Sequence, residues 1–81
     1  MREFTDGAGA GWVATVRERP GPDYKGRYFF WVEPRDGGEG VALLDVRWNS
    51  ERTAQRTLET MSEVELRRRL KSAVGRGAAA V

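Results

Sequence analysis

Five consecutive apolar residues, Tyr28-Phe29-Phe30-Trp31-Val32, make both faces of one strand hydrophobic. Successive side chains on a strand point to opposite sides, so Tyr28, Phe30 and Val32 share one face and Phe29 and Trp31 the other. A small sheet covered by a single helical layer needs only one apolar face. The second face calls for a covering loop, a closed barrel or a partner.

The rest of the chain supplies the sheet. Arg2 to Asp6 reads as a short strand with Phe4 inward, followed by the flexible turn Gly7-Ala8-Gly9-Ala10-Gly11. Trp12 to Arg17 is a second strand, with Trp12, Ala14 and Val16 on one face and Val13 and Thr15 on the other. Arg19-Pro20-Gly21-Pro22-Asp23 interrupts the ladder, because prolines cannot donate to it. Lys25 to Glu33 is the third strand, and Pro34 to Gly40 a connection rich in turn formers. Val41 to Trp48 is the fourth, with Ala42, Leu44, Val46 and Trp48 on one face and Val41 and Leu43 on the other.

Helical patterning follows. Asn49 or Ser50 can cap a first helix whose Ala54, Leu58 and Met61 recur at helical spacing. Ser62 and Glu65 have the spacing of a capping box, and Met61 and Leu66 that of a hydrophobic staple. A second helix is expected from about residue 62 to 74, bent from the first, with Leu66, Leu70 and Ala73 inward. Gly75 and Gly77 are expected to end it. The reading is α+β: a four-stranded antiparallel meander followed by a C-terminal bent helix or helix pair on one sheet face. Residues 1–74 form a single domain and residues 75–81 a flexible Gly/Ala tail.

Composition excludes several chemistries. The 81 residues contain neither His nor Cys, which removes structural zinc, thiol chemistry and His-based nucleophile–base pairs. The acidic residues Asp23, Glu33, Asp36, Glu39 and Asp45 fall largely in turns, where Asp serves turn geometry. No spacing places two of them on a common wall. The sequence reads as non-enzymatic, with no cofactor and no metal. Gly7 to Gly11 superficially resembles a phosphate-binding loop, but it runs into a strand and not into a helix N-terminus. No apolar stretch approaches the roughly 20 residues of a transmembrane helix, and Met1 to Asp6 has no apolar signal region. The expected location is cytoplasmic, either free or peripheral to the inner face of a membrane.

Two surfaces remain as candidate sites. The first is the second sheet face, with Phe29, Trp31, Val13, Leu43, Arg27 and Arg47 as partner-binding residues. The other is a basic helix face built from Arg67, Arg68 and Lys71. Twelve of the 14 basic residues are Arg, the side chain suited to bidentate contacts and aromatic stacking, yet the net charge is only +2. Such a helix face suits phosphates, anionic headgroups or acidic protein, and equally a solvated surface.

The segment Lys25-Gly26-Arg27-Tyr28-Phe29-Phe30 resembles the basic-glycine-aromatic strand of RNA-recognition modules, although Arg27 stands where that motif has an aromatic. The order of four strands before the helices departs from those modules. It resembles in architecture the unit of PUR-type single-strand binders, a likeness that implies a sheet surface for purine-rich strands and a dimer. Two functional expectations follow. The first is an accessory subunit or adaptor docking its aromatic sheet face onto a larger protein assembly, membrane-bound or soluble, or onto a second copy of itself. The runner-up is a single-stranded nucleic-acid module stacking bases on Trp31, Phe29 and Trp12.

Overall fold

The computed structural model describes residues 1–19 and 26–80, with side chains up to residue 74. Strands β1 (Arg2–Thr5), β2 (Gly11–Glu18), β3 (Tyr28–Pro34) and β4 (Val41–Trp48) precede helices α1 (Glu51–Thr60) and α2 (Glu63–Ala80). The strands form one antiparallel sheet in the order β1-β2-β3-β4. α1 packs across β2, β3 and β4, and α2 against β4 and β1. The chain is a small single-domain α+β protein, as its patterning indicates. The Pro20 to Asp23 break and Lys25 lie outside the described residues, as does Val81.

The inner sheet face and the helices meet in a core free of buried charge among the described residues. Phe4, Ala14, Phe30, Val32 and Leu43 come from the strands; Ala54, Leu58, Leu66, Leu70 and Ala73 come from the helices. Phe30 stacks on Trp48 with ring centroids 4.3 Å apart. The helical periodicity is therefore read correctly from sequence, since these five helix residues are the ones that recur at helical spacing.

Strand β4 departs from simple alternation. Between Tyr28 and Phe30 β3 advances two residues, whereas its partners on β4, Trp48 and Leu43, are five apart. The surplus is odd, so the inward parity switches within the strand. Val41 and Leu43 face the helices at one end and Trp48 at the other, while Leu44 and Val46 stay exposed. Leu43 is thus a core residue, only 5% exposed, and its assignment to the outer face is corrected. Strict alternation groups Leu44 and Val46 with Trp48 because Leu44-Asp45-Val46-Arg47 alternates apolar and polar side chains as a regular strand does.

The helix ends resolve one alternative and show two further differences. Ser50 is the N-cap of α1, its hydroxyl accepting from the Thr53 amide, while Asn49 accepts from the Gly26 amide at 2.7 Å. At α2 the Ser62 hydroxyl accepts from the Glu65 amide at 3.1 Å, but the Glu65 carboxylate turns to Arg68 and Arg69 and not back to the cap. The α2 backbone also continues through Gly75 and Gly77 to Ala80, past the end expected at residue 74. Glycine in a helix costs about 1 kcal/mol against alanine, a weak stop signal when alanines, the best helix formers, follow it.

Side chains tie the helical layer to β1. Arg2 Nη1 donates to the carbonyls of Leu58 (3.1 Å), Glu59 (3.3 Å) and Met61 (2.7 Å). These are carbonyls at the C-terminal end of α1, which has no basic residue in its own last turn. At the start of α2, Glu63 accepts from the Thr5 amide (3.0 Å) and Arg67 donates to the Thr5 carbonyl (2.6 Å). The two side chains act on Thr5 as a neighbouring strand would, closing part of the β1 edge.

Candidate functional site

With both helices on the inner face, the outer face is built by residues of opposite parity. Register pairs Thr15 with Trp31, Trp31 with Ala42, Arg17 with Phe29 and Val13 with Glu33. Val13, Thr15, Phe29, Trp31 and Ala42 are each half-buried, and Leu44 is 49% exposed. Of the expected apolar partner-binding residues, the sheet brings Phe29, Trp31 and Val13 together and removes Leu43. Leu44 stands on this face in its place.

Trp31 sits at the centre of this surface. The Arg17 guanidinium lies over the indole, its carbon 4.3 Å from the ring centroid. Cation–π pairs of this kind contribute about 0.5–1 kcal/mol at exposed sites. Gly40 is pressed against the same indole: a Cβ there would overlap the Trp31 ring. The Trp31 Nε1 hydrogen is shielded from solvent and has no acceptor among the described residues. A shielded, unsatisfied donor costs about 1–3 kcal/mol.

Three arginines gather near the Phe29 end. Arg17 faces Glu33 at 3.9 Å, Arg27 faces Glu18 at 3.8 Å, and the Arg47 side chain lies along Gly26. Those separations are long for ion pairs, and exposed pairs contribute little. The rim is therefore cationic but partly compensated. Gly40 and the Arg17–Trp31 stack are visible only through the strand register.

The basic helix residues Arg67, Arg68 and Lys71 stand together on α2, away from the outer sheet face. Arg67 pairs with Glu63 at 3.2 Å, and Arg68 with Glu65 at 2.6 Å. Arg68 and Arg69 beside Glu65 hold its carboxyl below the usual range, the Arg68 hydrogen bond being the main cause. Hydrogen bonding to the Thr5 amide, with Arg67 nearby, does the same for Glu63.

The glycine-rich turn is organised around a carboxylate of its own. Asp6 accepts from the amides of Ala8 (2.8 Å) and Ala10 (2.9 Å) and from Trp12 Nε1 (2.8 Å). The Trp12 bond is the main reason its carboxyl is held below its ordinary value. These amides are occupied, so the turn offers little to a phosphate. Of the acidic residues considered for catalysis, Asp23 lies outside the described residues. Among the described residues no three His, Cys, Asp or Glu side chains are grouped to hold a metal ion, and no helix is long and apolar enough to cross a membrane.

No protein-family model matches this chain, and neither a curated protein nor a solved structure matches it significantly.

Proposed function

We propose that this protein is a non-enzymatic adaptor that docks the outer face of its sheet onto a partner protein. The observation that carries the reading is the half-exposed Phe29–Trp31 strip, left on the sheet face opposite both helices. Its chemistry specifies the partner surface: an apolar centre to cover Phe29, Trp31 and Leu44, and carboxylates at the edge to meet Arg17, Arg27 and Arg47. Aromatic residues and arginine are the side chains that most often dominate interface energies. A shielded indole N–H also offers a donor to a partner carbonyl if the Gly40 segment yields.

The same geometry weighs against the nucleic-acid reading. A base stacks on an open ring face, and on Trp31 a ring face is already covered by Arg17. Binding there would first have to displace the guanidinium.

The test is affinity capture from the native cell at low and high salt, comparing the wild-type chain with a Phe29→Ser/Leu44→Asp double variant checked for folding by circular dichroism. A protein retained by the wild type at high salt and lost by the double variant is the expected result. Nucleic acid recovered only at low salt, or a protein held equally by both chains, overturns the reading.

A further inference from the structure

Beyond the sheet face, α2 exposes two valines that the core does not use. Val64 is 70% exposed and Val74 46%, whereas Leu66, Leu70 and Ala73 face inward. The two valines are not isolated on the surface. Together with Trp12 and the flank of Leu70 they line a cleft of about 590 Å³ between α2 and the β1–β2 turn. That volume falls within the range of small-molecule sites, about 300–1,000 Å³. One wall is fixed in place, because Asp6 holds the Trp12 indole at 2.8 Å.

The rim adds charge of one sign along α2. Arg67, Arg68 and Lys71 border the cleft. Arg67 is engaged by Thr5 and Glu63, and Arg68 by Glu65. Lys71 is exposed and has no ion-pair or hydrogen-bond partner among the described residues. It lies one turn from both arginines, so an anion beside Lys71 also meets the outer side of Arg68. Asp6, the acidic group on the opposite wall, directs its oxygens to Ala8, Ala10 and Trp12.

An apolar trough edged by cations on one side has a defined complement. We propose that this cleft binds a single-chain anionic amphiphile, with its hydrocarbon tail along Trp12, Val64 and Val74 and its phosphate or carboxylate head beside Lys71 and Arg68. A purely polar anion leaves the trough empty, and a neutral hydrocarbon leaves the lysine without a counterion. This site is independent of the proposed sheet-face function.

The experiment is a ¹H–¹⁵N NMR titration of the full chain with decyl phosphate and dodecyl phosphate below their micellar concentrations. Inorganic phosphate, dodecyltrimethylammonium and anionic phospholipid vesicles serve as the other probes. Saturable shifts are expected at the Trp12 indole, Val64 and Val74, with affinity rising roughly tenfold for the two added methylenes. Lys71→Glu should weaken dodecyl phosphate about fivefold to tenfold, and Val64→Asp should abolish its binding; both positions are exposed, and the unshifted remainder of each spectrum reports the fold. Four results overturn the proposal: equal response to the cationic amphiphile, response to inorganic phosphate without chain-length dependence, binding to vesicles alone, or shifts centred on Phe29 and Trp31.

Discussion

Phe29 and Phe30 are neighbours in sequence and have opposite fates. Phe30 is 1% exposed, stacked on Trp48 under the helices, while Phe29 stays half-buried on the far side of the sheet. The inner face is closed by hydrocarbon from two helices; among the described residues the outer face is covered by its own side chains and the Gly40 backbone, with an arginine laid over its tryptophan. Burial on the inner face stabilises the fold, and burial on the outer face is incomplete. The sharpest test of this difference is paired truncation. Phe30→Ala should cost about 3–5 kcal/mol of stability. Phe29→Ala removes a side chain that is only partly buried and should cost about 1–2 kcal/mol. Urea denaturation of both variants measures the gap, and equal losses would mean that the outer face is core as well.

Gly40 probes the outer face from the opposite direction. Gly40→Ala places a methyl group where the Trp31 ring stands, so the indole must move off its seat. Overpacking of this kind costs about 1–3 kcal/mol. The expected signature is a destabilised protein with altered tryptophan fluorescence and an intact Phe30–Trp48 stack. Unchanged stability would show that Trp31 is already loose on the sheet.

The contrast between faces also explains which parts of the structure were legible in the sequence. Strand and helix periodicities each have a fixed repeat, so β1 to β4, the Ala54–Leu58 stripe and the Leu66–Leu70–Ala73 stripe follow from spacing alone. Serine at the start of each helix is a local signal, and both Ser50 and Ser62 act as caps. Leu43 could not be placed in this way. Its face depends on how many residues β4 spends opposite Tyr28 and Phe30, a pairing property invisible within either strand. The same holds for Arg17 over Trp31, and for the cleft that unites Trp12 with Val64 and Val74. Each joins residues far apart in sequence, and no local pattern marks them as neighbours.

Arg2 tests how the helical layer is held on the inner face. Its guanidinium reaches three carbonyls at the C-terminal end of α1 across 56 to 59 residues of sequence. Hydrogen bonds from a charged donor contribute about 1.5–3 kcal/mol where they are sheltered, and this one is only part-buried. Arg2→Ala should therefore cost about 1–2 kcal/mol in thermal or chemical unfolding. Arg2→Lys should recover part of that loss through the helix dipole alone. If both variants were as stable as wild type, α1 would be held entirely by Ala54 and Leu58.

Acid should separate the two faces most gently. The Glu63 carboxyl is held below its ordinary value, chiefly because it accepts from the Thr5 amide. The native state then binds a proton at this site less readily than the unfolded chain does, so stability falls with pH wherever the unfolded glutamate gains protons faster. The contribution is fully present above the ordinary glutamate value of about 4.3, and it is lost as pH falls through the lowered native value. The Thr5 amide reports the event directly: its ¹⁵N-resolved shift should titrate with a midpoint below the ordinary one, and Glu63→Gln should abolish that titration. Glu63→Gln should leave the outer-face signals of Thr15, Phe29 and Trp31 as they are in the wild type over the same range, because none of these side chains contacts Glu63. Loss of an acid response at Trp31 together with the one at Thr5 would instead show that loosening the β1–α2 clamp reaches the whole sheet, and that the two faces are not energetically separate.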